Sequence, residues 1–568
     1  MARGGGKVGR RYAPFLLLAG VQALLVALVP STGAPRSADG QLNVGPGGYV
    51  APGAPFEGEV ATDEFGNPIP AGQPGAGVAG SAAGGPTGPT GAIGVPGTPG
   101  GAAAGGDRSK CAPDGVRQQS ITTTSPPCVP RFTGDNGGAT YQGVTREEIV
   151  ILRYRPKSNT AVDAILRTQG LASTPAEEQQ AQDAFARFFD KRYEFYGRKI
   201  KWVTVQGNCE ITPPDTACLR DEVKRLNAQH KPFGVFYTSS TTQAEFFEQW
   251  GQLGVMNVGG WHFTADFNQA QRPYHWDVFM DGTRTVRNLA DYWCKKMAGK
   301  PAAHAGDPAL RAKTRKVGVI TQDFGVTRPN ALEFVRLVTG GMCGKPGDAA
   351  APVYTPSDIS RAQQTASTAI QKLKSEGVTT LVILSDPIGP TFFTKAASEQ
   401  QWYPEHLLSG SGLIDYDVLG RLYLQEQWVN AFGPGHLGDP IPFEQSDAAK
   451  AARDVGVSGL YSGANLMYAY MSLVAAGIQM SGPNLNPPNI ERGVLTLPPS
   501  GGWERTKNPA AVLVQFGPGD YTAIEDSRHA VWSPTARSKI DGKAGAYIAV
   551  QGGRRWEIGK WEPGEPKQ

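Results

Sequence analysis

The sequence predicts an α/β protein built as two doubly wound parallel-sheet lobes, joined by a hinge and separated by a cleft. Three observations predict it. From about residue 145 short apolar segments alternate with amphipathic stretches. The alternation restarts as a second series near Gly282. And 568 residues are too many for one hydrophobic core. Short apolar strands between helices are strands buried on both faces, as in parallel sheets covered by helices.

The chain opens differently. Arg3, Lys7, Arg10 and Arg11 precede an apolar run of 15 residues, 15–29. That length suits an export signal better than a membrane span, which needs about 20 residues. Residues 1–34 are read as a signal peptide or an N-terminal membrane anchor: the small residues at 32–34 favour cleavage and Pro35 opposes it. Either way the bulk of the chain is expected outside the cytoplasm. Residues 35–110 are a Gly/Pro/Ala-rich linker, too poor in large apolar side chains to offset the entropy of ordering. Residues 85–100 keep a Gly-X-Y period over five triplets, the collagen pattern, read here as part of a flexible tether.

Six cysteines suit an oxidising compartment. They allow 15 connectivities. Local spacing favours Cys111 with Cys128, inside a lead-in segment at 111–144, and Cys209 with Cys218 around a short loop, leaving Cys294 for Cys343. No CxxC occurs and the seven histidines are scattered, so no metal is expected.

The first series reads as strands at 148–154, 199–205, 233–237, 255–258 and 277–280, with helices at 177–196, 218–229, 242–253 and 283–298. The second reads as strands at 316–321, near 353, at 380–385, 406–408 and 428–432, with helices at 330–338, 360–375 and 390–400. This places the first lobe at 145–281 plus 434–535 and the second at 282–433 plus 536–568.

Composition and motifs exclude several functions. A net charge of +4 with dispersed basic residues is no nucleic-acid footprint. Residues 433–438 spell GxGxxG, but Pro440 and Pro442 follow, so no helix opens there and a dinucleotide site fails its context. The chain lacks GxxxxGK[ST], GxSxG and HExxH, and no nucleophile, base and orienting acid can be assembled. No cofactor and no enzymatic activity are expected.

Four segments carry a resemblance to a known family. They are Phe236-Tyr237-Thr238-Ser239-Ser240-Thr241-Thr242-Gln243, the strand and turn at 316–325, the alanine-rich stretch at 461–477, and Gly-Gly-Arg-Arg-Trp ending at Trp556. In order and spacing they resemble the type I periplasmic solute-binding proteins, in the branch serving branched-chain amino acid and amide ABC transporters, over about residues 140–565. The resemblance implies a monomeric receptor that closes on a small polar solute, an amino acid, amide or related carboxylate, and delivers it to an ABC permease. A membrane-tethered sensory ectodomain on the same fold is the alternative, and a secreted hydrolase a remoter one. The second lobe departs from the family pattern: Phe324 has no hydroxyl, and Ser409-Gly410-Ser411-Gly412-Leu413 carries no acid before Asp415, which puts an α-amino acid ligand in doubt.

In open α/β sheets ligands sit beyond the carboxyl ends of strands. Ser239, Ser240 and Thr241 are the leading candidates: hydroxyls before a helix make an anion site, and one of them also suits an N-cap. Arg153 and Arg155 end the first strand, where they would clamp a carboxylate or stand as solvated charge. Trp261 and His262 follow Gly259-Gly260, as cleft wall or as core. Asp281 and Gly282 mark the hinge, with Asp281 also placed to cap the next helix. Phe324, Asp386 and Ser411 end strands of the second lobe.

Overall fold

A computed structural model describes residues 106–168, 171–237, 243–323 and 327–566. The export segment and nearly all of the linker lie outside the described residues, as do Ser239, Ser240, Thr241 and Phe324. Among the described residues no helix is long and apolar enough to cross a membrane, and no cluster of His, Cys, Asp and Glu could hold a metal ion.

The first sheet has the order β2-β1-β3-β4-β5, all parallel. Its strands are β1 (Glu148–Arg155), β2 (Lys199–Gln206), β3 (Gly234–Tyr237), β4 (Met256–Val258) and β5 (His275–Trp276). Between them run α1 (Thr160–Thr168), α2 (Pro175–Arg192), α3 (Thr216–His230) and α4 (Ala244–Gln252). A capping box starts α2: Thr174 and Glu177 exchange side-chain and backbone hydrogen bonds, with Pro175 in the first turn. Its buried face carries Phe185, Phe188 and Phe189 into the core.

The second sheet runs β12-β11-β10-β9-β8-β6-β7, with β13 beside β11. β6 (Val317–Gln322), β7 (Val353–Thr355), β8 (Thr380–Leu384), β9 (Glu405–Leu407) and β10 (Ala431–Gly435) are parallel. The closing strands β11 (Asp526–Arg537), β12 (Ala544–Ala549) and β13 (Arg555–Glu557) are antiparallel. Helices α5 (Gly282–Lys296), α6 (Arg328–Arg336), α7 (Ala362–Ser375) and α8 (Gly389–Glu399) belong to this lobe. After β10 the chain returns to the first lobe as α9 (Asp447–Asp454), α10 (Ala464–Ser481) and α11 (Pro487–Leu495), where Tyr468 of α10 stacks on Phe189 at 5.8 Å.

Four expectations change. Residues 277–280 are no sheet strand: β5 ends at Trp276 and the following residues cross to the second lobe, with Met280 fully buried and Val278 and Phe279 packed on the core. Helix α1 is additional. The last strand of the parallel series is Ala431–Gly435, three residues later than expected, so the GxGxxG glycines begin inside a strand. The boundary expected at 535/536 would split β11, which pairs with β10 from Gly435↔Arg528 to Phe432↔Val531; the tail of the second lobe starts at Asp526.

Three disulfides form with the expected partners: Cys111–Cys128, Cys209–Cys218 and Cys294–Cys343. The lead-in segment lies on the first lobe. Gln118 donates to the Arg192 carbonyl at 2.9 Å, Gln479 donates to Gln118 at 3.0 Å, and Thr140 donates to the Leu485 carbonyl at 2.8 Å.

Candidate ligand cleft

The carboxyl ends of both sheets face one cleft. On the first lobe β4 ends in Gly259-Gly260-Trp261-His262; on the second, β8 runs into Ser385-Asp386 and β9 into Ser409-Gly410-Ser411-Gly412. The lobes touch near the hinge. The Gly412 N–H donates to His262 Nε2 at 3.0 Å, and the Asn330 side chain of α6 donates to the His262 carbonyl at 3.0 Å. Burial pushes the His262 imidazole down to about 4, so the ring is neutral at ordinary pH and free to accept. Gly412 has φ +60°, and a Cβ there would stand 2.4 Å from the Ser385 carbonyl oxygen.

Further from the hinge, a cavity of about 70 Å³ opens between the lobes. The first lobe contributes Val162 of α1 and Thr212. The second contributes Gln322 and Thr355 from strand ends, Asp386, and Phe392 and Phe393 of α8, with others. None of its described lining residues is basic. Gln322 and Asp386 are locked together: the Asp386 N–H donates to Gln322 Oε1 at 2.9 Å, and the Gln322 amide donates back to the carboxylate. The other Asp386 oxygen accepts from the Ile388 and Gly389 N–H groups at 2.8 and 2.9 Å, opening α8.

Of the residues singled out from sequence, Asp386 lines this cavity and the others described do not. Arg153 is buried and paired with Glu178 of α2, and Arg155 meets the same carboxylate at 2.8 Å. The two guanidiniums thus share one carboxylate within their own lobe. Trp261 is buried, donates to the Tyr470 hydroxyl at 2.8 Å and packs edge-on to Phe279. Ser411 is buried, its N–H bonded to the Ser409 hydroxyl at 3.2 Å. Gln322 and Thr355 were missed, although each ends a strand and position alone would have found them. Val162, Phe392 and Phe393 gave no signal beyond ordinary helix patterning.

The hinge is a charge cluster. Asp281 caps α5 by accepting the Arg284 N–H at 2.8 Å. Arg284 then reaches Asp281 and Asp520, each at 2.6 Å, and also Glu525. One guanidinium therefore ties the first crossing, 277–282, to the third, 520–526. Burial pushes the Glu525 carboxyl up to about 8; Arg284 opposes this and Asp520 adds to it. At the first crossing, burial raises Asp277 to about 7 despite the N–H groups of Val278 and Phe279 that it accepts.

No family model and no curated protein matches the sequence. Solved structures do. An ABC transporter substrate-binding protein of Aeropyrum pernix superposes with a TM-score of 0.50 at 8% identity, covering 74% of this chain and 97% of that one. A type 1 periplasmic binding protein of Bordetella pertussis Tohama I gives 0.48 at 10% identity, covering 71% and 99%. A fatty acid ABC transporter substrate-binding protein of Thermomonospora curvata gives 0.49 at 13% identity, covering 76% and 100%. The fold is that of the type I periplasmic binding proteins.

Proposed function

We propose that the chain is an extracytoplasmic receptor that captures a small polar solute by hinge closure and delivers it to an ABC permease. The observation that carries this reading is the cavity between the lobes, with walls from α1 and Thr212 on one side and from β6, β7 and α8 on the other. A site assembled from two bodies is complete only when they close, so solute binding selects the closed state. The lining supports the ligand class. Thr212, Gln322, Thr355 and Ser357 offer hydroxyl and amide groups beside Phe392 and Phe393, with no basic residue among those described. That suits an amide or amino group attached to an apolar body better than a lone carboxylate. A carboxylate would rely on Ser239, Ser240 and Thr241.

The test is a thermal-shift screen of the full chain against amino acids, short amides, amines and aromatic carboxylates. A solute at 100 times its Kd adds about 2.7 kcal/mol to stability. A selective shift that Gln322→Ala removes supports the reading. A silent panel, or shifts indifferent to Gln322 and Phe392, would overturn it.

A further inference from the structure

The chain between β1 and α2 does not stay on the first lobe. Leu171, which follows α1, packs on the hydrophobic core of the second lobe. Val162 of α1 lines the cavity, and Val162 and Thr212 are its only described lining residues from the first lobe. Residues 157–168 with Leu171 therefore reach from one lobe to the other along the cavity.

Their base is fastened to the loop that the Cys209–Cys218 disulfide closes. Lys157 pairs with Glu210. Asn159 works in two directions. Its Oδ1 accepts the Ala161 and Val162 N–H groups at 3.1 and 3.3 Å and so caps α1. Its Nδ2 donates to the Thr212 hydroxyl at 3.0 Å. Both first-lobe residues of the cavity wall thus hang on one side chain.

α1 itself is lightly held. It has nine residues, fewer than the roughly 12–15 at which an isolated helix becomes even marginally stable in water. None of them is fully buried, and the apolar face of Val162, Ile165 and Leu166, spaced i, i+3 and i+4, is only half-covered. Elements with so little buried apolar surface open at low cost. The Leu171 contact is what the second lobe adds, and separating the lobes would remove it.

We propose that α1 is a flap over the cleft, latched on the second lobe by Leu171, and that Val162 limits the length of the solute the cleft admits. This role rests on the receptor reading above and adds to it the residue that sets solute size. Val162 is apolar, as are Phe392 and Phe393 of the opposite wall, so the solute's apolar body lies between them.

Calorimetry on the full chain with straight-chain primary amides and amines, from acetamide and ethylamine upward, reads the limit. Affinity should rise about fourfold with each added methylene until the chain meets Val162, and then fall. Val162→Ala should move that break to longer chains and Val162→Phe to shorter ones, with the shortest binding members unaffected. Trypsin cleavage after Arg167, exposed on α1, reads the latch without solute. Leu171→Asp should speed it by about tenfold, the worth of one partly buried leucine contact, and leave cleavage elsewhere as in the native chain. Circular dichroism confirms that each variant is folded. A break that ignores Val162, or cleavage after Arg167 that ignores Leu171, would overturn the flap and leave the receptor reading intact. Failure of every amide and amine to bind the native chain would overturn both.

Discussion

His262 of the first lobe accepts a hydrogen bond from the Gly412 N–H of the second at 3.0 Å, across the cleft and close to the hinge. The contact requires Gly412 to keep its left-handed φ of +60° while pressed against the Ser385 carbonyl. An alanine at 412 would pay about 1–2 kcal/mol for the backbone alone, and its methyl group would have to displace Ser385. Gly412→Ala is therefore expected to lower the melting temperature and to open the lobes. Small-angle scattering of the variant should give a larger radius of gyration than the native chain. Identical scattering curves would sink the idea that this contact sets the closed state.

Asp277 makes stability depend on pH. Its carboxyl is raised from the usual 3.8 to about 7, chiefly by burial; Tyr470 and the Val278 and Phe279 N–H groups oppose this, and the Asp281 charge reinforces it. The folded state therefore favours the protonated acid. That stabilisation is complete below about 3.8, fades as pH rises toward 7, and is gone above it. At about 1.4 kcal/mol per pKa unit the loss is at most about 4 kcal/mol. Replacing Asp277 by Asn should flatten the profile. The melting-temperature difference, variant minus native, should climb between pH 4 and 7 and then level off. A constant difference over that range would refute the assignment.

The disulfides should differ in worth. Cys294–Cys343 closes a separation of 49 residues and Cys209–Cys218 one of 9. Loop-closure entropy assigns about 4 kcal/mol to the first and about 3 to the second. Paired Cys→Ala variants compared by denaturant unfolding should keep that order. The reverse order would mean that local packing, not chain entropy, governs them.

Much of the scaffold was legible because burial on both faces leaves apolar runs in the sequence, as at Val317–Gln322 and Thr380–Leu384. The hinge misled for the same reason. Val278, Phe279 and Met280 look like a strand because they are packed, yet they pack as a crossing and pair with no sheet neighbour beyond the bridge of Asp277 to Thr522. Helix α1 escaped notice because none of its residues is fully buried. The arginines show a different limit. Position put Arg153 and Arg155 at a strand end, and nothing nearby in sequence announced Glu178, which helix α2 brings back, 25 residues on from Arg153, to pair with both. Likewise Gly259-Gly260 flagged His262, but its partner Gly412 lies 150 residues on and meets it only through the tertiary fold.

The lead-in segment is fastened to one half of the molecule. Besides Gln118, Thr123 binds Asp447 at 2.9 Å, Lys110 donates to the Tyr193 carbonyl at 2.8 Å, and Tyr141 donates to the Gly254 carbonyl at 3.0 Å. Every one of these anchor points belongs to the first lobe. A pull on the chain ahead of Asp107 would therefore enter that lobe alone and bypass the hinge. Because those anchor points lie on one side of the hinge, a rotation of the second lobe about it would leave every one of them in place.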